Sequence, residues 1–301
     1  MRILLVRHGE SVDNVAGLYA GSRDSPLTNH GVLQIKRLGA HLAKRQETIG
    51  PIKHIFTSNL QRAYQTAEAV AEALLEAQSP FSNDTPTSLA TVKVTRLAEL
   101  REKDYGSSEG KKYGVKTGGS NNDQVQSDSE SHESMRIRVN RFVDSHLIPI
   151  ADTDASENTT ILIVAHGIIL GVLLKVLLER FPPKPALSNP QGRVEDGPSE
   201  PVAWSNTGVL QANLLLRKDL LPPNSPSKAV LIANSAASDD AIAPSIDSNA
   251  KVLQLTIELT NNLEHLDGLK KTRGGIGSAK FDSRQRTMDS FFTPASKKRK
   301  L

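Results

Sequence analysis

With 301 residues, the chain has the length for one large or two small domains with a real core, and its 38% apolar but only 4% aromatic content implies that part of it is unpacked. The net charge of +4 is an uneven average: from Leu269 onward there are 10 Lys/Arg against 2 Asp/Glu, leaving 27 against 31 before it, so the basic character belongs to the C-terminal segment. No cysteine is present, which excludes disulfides, a cysteine nucleophile and zinc–thiolate sites and suits a reducing compartment.

Met1 leads directly into the apolar run Ile3-Leu4-Leu5-Val6, without the charged region and long apolar segment of a signal peptide. The run ends in Arg7-His8-Gly9-Glu10-Ser11. A buried strand that ends this way delivers a cation and an imidazole to the carboxyl edge of a parallel sheet, where open α/β folds keep their sites. Asn14 follows, then a polar loop from Gly21 to Gly31 and a helical pattern from Val32 to Arg45 with Ile35, Leu38 and Leu42 on one face. Asn14 reads equally well as a turn residue or a ligand contact.

The second strand reads as His54 to Thr57, with Ser58 as N-cap of a helix running through Ala77. Arg62 lies near the start of that helix, where a cation opposes the macrodipole and an anion is its expected companion. After a Ser/Thr/Pro-rich loop over 79–91, Val92 to Leu97 reads as a strand, and Leu100 to Gly106 contains Glu102, with Glu99 and Glu109 as solvated or structural neighbours. Thr117 to Ser134 has no Lys or Arg and is expected to be a mobile insert over the site, before a helix to about Ile150.

A second apolar run, Ile161 to Ala165, ends in His166-Gly167, and the helix after it is stopped by Pro182-Pro183. The stretch from Ile161 to Leu178 is long enough to span a membrane. It contains His166, Gly167, Gly171 and Lys175, however, and reads as a strand plus a helix, so no membrane partner is expected. Past a Pro-rich excursion over 182–201, Val209 to Leu216 and Leu253 to Leu259 alternate as half-exposed strands paired at a sheet edge. The intervening Ser/Ala/Asn/Pro-rich segment reads as disordered. The expected organisation is a catalytic domain over 1–222, a disordered insert over 223–249, an edge strand over 250–266 that completes the domain, and a basic flexible tail over 267–301. The expected fold is α/β, an open, mostly parallel sheet flanked by helices.

The Arg7-His8-Gly9 tripeptide with a late second histidine resembles the histidine phosphatase superfamily, also called phosphoglycerate-mutase-like. Further motifs agree in order: the Pro26-Leu27-Thr28 loop, the Ser58 to Ala67 segment (SNLQRAYQTA) and the Leu100 to Gly110 segment (LREKDYGSSEG). The resemblance covers residues 1 to about 215. It implies that His8 attacks phosphorus and becomes phosphohistidine. It also implies that Arg7, Arg62 and His166 cradle the phosphoryl oxygens, that Glu102 is the proton donor, and that Asn14 and Gly167 help bind the substrate. Phosphoryl transfer needs fixed cations, an in-line nucleophile and an acid, and this chain offers all three. No metal or other cofactor is implied, because the histidines show no ligand spacing.

The reading is a phosphomonoester hydrolase acting on a phosphorylated small molecule or phosphoprotein. The alternatives are a phosphoglycerate-mutase-type phosphotransferase, whose Trp/Arg-rich substrate segment has no counterpart after Tyr113, and a catalytically idle interaction module. In the tail, Gln285, Met288, Phe291 and Phe292 fit the box, Qxx(M/L/I)xx(F/Y)(F/Y), by which replication and repair proteins bind the sliding clamp PCNA. A single turn would gather Met288 and the two phenylalanines into one apolar plug; the plainer alternative is that the phenylalanines dock back on the catalytic domain. Lys297, Lys298, Arg299 and Lys300 resemble a nuclear localisation signal, with nonspecific contact to nucleic acid as the plainer alternative. The expected location is nuclear, with a cytoplasmic share left open.

Overall fold

Strand β1 (Arg2–Arg7) is buried on both faces, with Ile3, Leu4, Leu5 and Val6 at most 1% exposed. Its parallel neighbour β4 (Thr160–Ala165) is buried at all six positions. Such double burial explains why both read as continuous apolar runs and not as alternating ones. In this computed structural model, residues 1–78, 92–114, 128–153, 158–183, 202–216 and 253–284 are described. The expected loop at 79–91, most of the 117–134 insert, all but the first two residues of the Pro-rich excursion, the 223–249 insert, the clamp box and the basic cluster lie outside them.

The remaining elements are α1 (Val12–Ala16), α2 (Asn29–Lys44), α3 (Gln46–Ile49), β2 (Ile52–Ser58), α4 (Gln61–Gln78), β3 (Val94–Leu97), α5 (His132–Phe142), α6 (Ile148–Thr153), α7 (Gly167–Arg180), β5 (Val209–Leu216) and β6 (Leu253–Asn262). The sheet has the order β3-β2-β4-β1-β5-β6, with β1 to β4 parallel and β5 and β6 antiparallel at one edge. This is the expected open, mostly parallel α/β sheet. Ile3, Leu5, Ile161 and Ile163 pack with Met135, Val139 and Phe142 of α5 and with the apolar face of α7. Leu4, Val6, Leu162 and Val164 point the other way, onto Leu38 and Leu42 of α2 and Ala63, Ala67 and Val70 of α4. The period-two alternation of β1 and β4 thus feeds two cores.

Three expectations are corrected. The second helix begins at Gln61 and not beside Ser58, because Ser58 is still in β2 and its hydroxyl accepts from Leu60 N at 3.3 Å. The helix to Ile150 is interrupted by a π turn over Val143–Leu147. The segment expected to be flexible from residue 267 is tied to the fold as far as Phe281. Thr28 pairs with Lys280, Asn29 N donates to Ala279 O, and Phe281 N donates to Leu27 O, both at 3.0 Å. These bonds satisfy backbone groups at the start of α2 that a free tail would leave to water.

Gly31 shows how tightly the loop after β1 is seated: a Cβ there would lie 2.1 Å from the carbonyl oxygen of Glu10. Gly31→Ala is expected to cost about 1–3 kcal/mol through overpacking, read as a melting temperature several degrees lower. Gly171→Ala in α7, where a Cβ would meet nothing closer than 3.9 Å, should not lower it.

Candidate active site

The register of β1 and β4 sets Arg7 opposite Ala165, so the next residues along each strand, His8 and His166, emerge side by side at the carboxyl edge. Their ring centroids are 5.0 Å apart, and the two residues are 3% and 1% exposed respectively. His8 N donates to Ala165 O at 3.0 Å, extending the ladder one step past the strand.

The His8 tautomer follows from its partners. Nδ1 lies 2.7 Å from Gly9 O, which can only accept, so Nδ1 carries the proton. Nε2 receives the Nε–H of Arg62 at 3.3 Å, which can only donate, so Nε2 holds the lone pair. Burial, with the charges of Arg62 and Arg7 adding to it, holds the His8 pKa well below 6.5. Burial and Arg62 do the same for His166. Both ring nitrogens of His166 are buried without a hydrogen-bond partner among the described residues. Two neutral imidazoles therefore sit between the guanidinium groups of Arg62 and Arg7.

Arg62, the second residue of α4, is 1% exposed. Its Nη1 donates to Arg23 O and its Nη2 to Ala20 O, both at 2.8 Å, and Nη2 also to Gly21 O at 3.3 Å. Burial lowers its pKa to about 10, so it remains a cation. The helix start is capped by Asp24, whose Oδ1 accepts from Gln61 N at 2.6 Å. Arg7 sends Nη1 to Trp204 O at 2.6 Å, while its buried Nε has no partner among the described residues. Glu102 meets the start of α7: Oε2 accepts from Ile168 N and Oε1 from Ile169 N, each at 3.1 Å. The amides it accepts from thus lie within three residues of His166 along the chain. Gly167 opens α7, and a Cβ there would be 3.9 Å from Trp204 Cβ and 4.0 Å from Arg7 Nε, so the position leaves room beside Arg7.

Arg7, His8, Arg62, Glu102 and His166 are thus brought together. Asn14 stands one layer back: it closes the capping box of α1, with Oδ1 accepting from Ser11 N at 3.2 Å and from Asn206 Nδ2 at 3.1 Å. Gln285, Met288, Phe291, Phe292 and the basic cluster Lys297 to Lys300 lie outside the described residues.

Four supporting residues were not singled out for these roles from the sequence. Asn206 Nδ2 also donates to His8 O at 3.0 Å, and Thr207 N donates to Arg7 O at the same distance. The Asn206-Thr207-Gly208 turn signal was available, but not the antiparallel pairing of β5 with β1 that carries it to the site. Glu109, expected to be solvated or structural, accepts the amides of Gly21, Ser22, Arg23 and Tyr105 and so fixes the loop over Arg62. Arg138 gathers the carbonyls of Glu99, Arg101 and Glu102 and is paired with Glu130.

Two adjacent, buried, neutral histidines between two guanidinium groups at the carboxyl edge of an open α/β sheet have the chemistry of an oxyanion-handling site. Residues 3–191 match the histidine phosphatase superfamily (branch 1), and the chain belongs to that family. It is 31% identical to an adenosylcobalamin/α-ribazole phosphatase of Salmonella typhi over 72% of this chain and 95% of that protein. It is 27% identical to a probable phosphatase of Schizosaccharomyces pombe over 96% of this chain and 78% of that one. A probable phosphoglycerate mutase of Citrobacter koseri is 31% identical over 59% of this chain and 75% of its own length. The fold is like that of a mycobacterial glucosyl-3-phosphoglycerate phosphatase, at a TM-score of 0.53 and 17% identity, over 87% of this chain and 99% of that one. Phosphatases and mutases thus both stand among the relatives, and phosphatase-type activity is supported.

A third buried histidine supports the site from behind. His265 Nε2 lies 2.9 Å from Thr207 Oγ1, whose own proton goes to Asn206 O, so Nε2 carries the imidazole proton. Its Nδ1 is buried without a partner among the described residues, and burial together with His41 lowers its pKa to about 4. The unfolded chain takes up this proton near pH 6.5, so between 6.5 and 4 it binds more protons than the folded one, and stability falls as pH falls. In phosphate-free buffer the melting temperature should therefore decline from pH 6.5 to 5. His265→Gln, which keeps a donor toward Thr207 but does not titrate, should show a shallower decline.

Proposed function

We propose that the chain is a phosphomonoester hydrolase that works through a phosphohistidine at His8 without a metal ion. The observation that carries this reading is the neutral His8 with its lone pair on Nε2, facing His166 between two guanidinium groups. In the free site Arg62 Nε–H occupies that lone pair. A phosphate dianion is a stronger acceptor than imidazole, so its arrival turns the Arg62 donor to a phosphoryl oxygen and frees Nε2 to attack. As the Nε2–P bond forms and the bond to the ester oxygen breaks, Glu102 passes a proton to the leaving alcohol. A water then attacks phosphorus and gives its proton to Glu102, the N–P bond breaks, and phosphate leaves.

The single N–H of the neutral His166 ring and the Nε–H of Arg7 are the donors left over for the non-bridging oxygens. The identities of the relatives favour no single substrate, and a phosphorylated metabolite or a phosphoprotein both fit the site. Hydrolysis is favoured over mutation because a Trp/Arg-rich substrate segment has no counterpart after Tyr113.

His8→Ala should abolish turnover of p-nitrophenyl phosphate in the presence of chelator, together with an acid-labile phosphoenzyme that the parent forms. Activity that survives the change, or that requires magnesium, would overturn the phosphohistidine route. Glu102→Gln should slow turnover about a hundredfold to ten-thousandfold while inhibition by inorganic phosphate persists. If Glu99→Gln is the damaging change, the acid is the wrong carboxylate.

We also propose that the C-terminal segment recruits the enzyme to PCNA in the nucleus, through Gln285, Met288, Phe291 and Phe292 and through the basic cluster Lys297 to Lys300. Two adjacent phenylalanines in an otherwise polar, basic segment serve as anchors for a groove on a partner. A peptide of residues 280–301 should bind PCNA in calorimetry. Phe291→Ala with Phe292→Ala should remove that binding and, in the full chain, leave phosphatase turnover intact; no heat from the parent peptide would end the idea.

A further inference from the structure

Away from the active site, α2 and α4 leave a groove of about 550 Å³ between them. Val32, Ile35, Ala69 and Ala73 contribute its apolar lining, and Glu68, Glu72 and Glu76, spaced four apart along α4, line one side. Glu68 is paired with Arg96, whereas Glu72 and Glu76 are exposed and have no ion pair among the described residues. One part of the groove is already occupied: the bond from Phe281 N to Leu27 O leads the C-terminal chain into it, and the Phe281 ring lines it while remaining 41% exposed.

The chain beyond this point has the chemistry to continue. Residues 285–301 carry Arg286, Lys297, Lys298, Arg299 and Lys300 against the single acid Asp289, and their apolar side chains include Met288, Phe291 and Phe292. Basic and apolar residues on the segment thus match an acidic side and an apolar lining on the groove. The ten residues from Phe281 to Phe291 reach roughly 33 Å when extended, and α4 is about 27 Å long. The pair can therefore be placed anywhere along the groove. A tether of this length holds its end at an effective concentration on the order of millimolar, so even weak contacts suffice.

We propose that the groove between α2 and α4 is the resting site of Met288, Phe291 and Phe292 of the same chain, with the basic cluster beyond them meeting Glu72 and Glu76. The segment that resembles a clamp-binding box is then masked in cis, and a clamp must displace it. Its apparent affinity for the full chain is lower than for the free peptide by the fraction of time the groove is empty. The proposal is independent of the phosphatase reading and needs no clamp for its test.

The absence of cysteine makes that test direct. In the full chain, Glu72→Cys with Thr293→Cys should form an intrachain disulfide under mild oxidation at least tenfold faster than Arg141→Cys with Thr293→Cys. Arg141 is exposed on α5, across the sheet from the groove. Adding Phe291→Ala and Phe292→Ala should erase the difference. Equal rates for the two pairs, or a rate unchanged by loss of the phenylalanines, would overturn the proposal. Predominant disulfide-linked dimers would do so too, by assigning the groove to a second copy.

Discussion

The buried guanidinium of Arg62 is the interaction on which the rest of the site depends. A cation with 1% exposure must be compensated by hydrogen bonds, since leaving one such charge unpaired costs several kcal/mol. Its partners are the carbonyls of Ala20, Gly21 and Arg23 and the Nε2 of His8. The same side chain therefore holds the loop over the pocket and selects the His8 tautomer. Glu109 holds that loop from its amide side, so carbonyls and amides of residues 20–23 are pulled to opposite partners. Gly21 is needed for this closure, because a Cβ there would lie 1.7 Å from Lys103 O.

The backbone does the remaining positioning. Parallel pairing of β1 with β4 presents two histidines from adjacent strand ends, and antiparallel pairing of β1 with β5 returns the Asn206-Thr207 turn to the same edge. An antiparallel strand begins where its neighbour ends, which is why a segment almost two hundred residues from His8 in sequence supports its carbonyl. Helix α7 starts directly after His166, and its free amides take the Glu102 carboxylate. Acid and second histidine are thereby referenced to one helix terminus, and Arg138 fixes the chain on either side of Glu102 through its neighbours' carbonyls.

Much of this was legible in the sequence, for identifiable reasons. Continuous apolar runs ending in His-Gly mark doubly buried strands and their carboxyl ends, and α7 was bounded by His166 and Pro182. The alternation in β5 and β6 gave their pairing at the edge. What the sequence hid was the identity of partners that act through main-chain atoms. Glu109 and Arg138 are charged residues that, on composition alone, belong in solvent, and only the fold shows that each one replaces several missing backbone bonds. Asn206 was hidden behind the Pro-rich stretch because its role depends on which strand β5 pairs with. The described residues after Asp267 read as a basic tail because their contacts with Leu27 to Asn29 are mostly main-chain bonds, which leave no hydrophobic pattern.

Those last contacts define how the C-terminal chain is coupled to the site. Lys271 Nζ reaches Glu10 Oε2 at 2.9 Å, and Glu10 also receives the Thr28 hydroxyl, so the strap touches the loop that follows His8. The Lys271 pair is partly exposed, and pairs of this kind contribute roughly 0–1 kcal/mol. The strap adds a few main-chain bonds at the edge of α2. The loop after His8 is independently held by Gly9 N on Thr66, Glu10 N on Gln34 and Thr28 N on Glu10 O. The contacts made by the strap are therefore the weaker set, and they open first under load. The loop that follows His8 is therefore held without the contacts of Lys271 and Phe281, which can part from it before the histidines are disturbed.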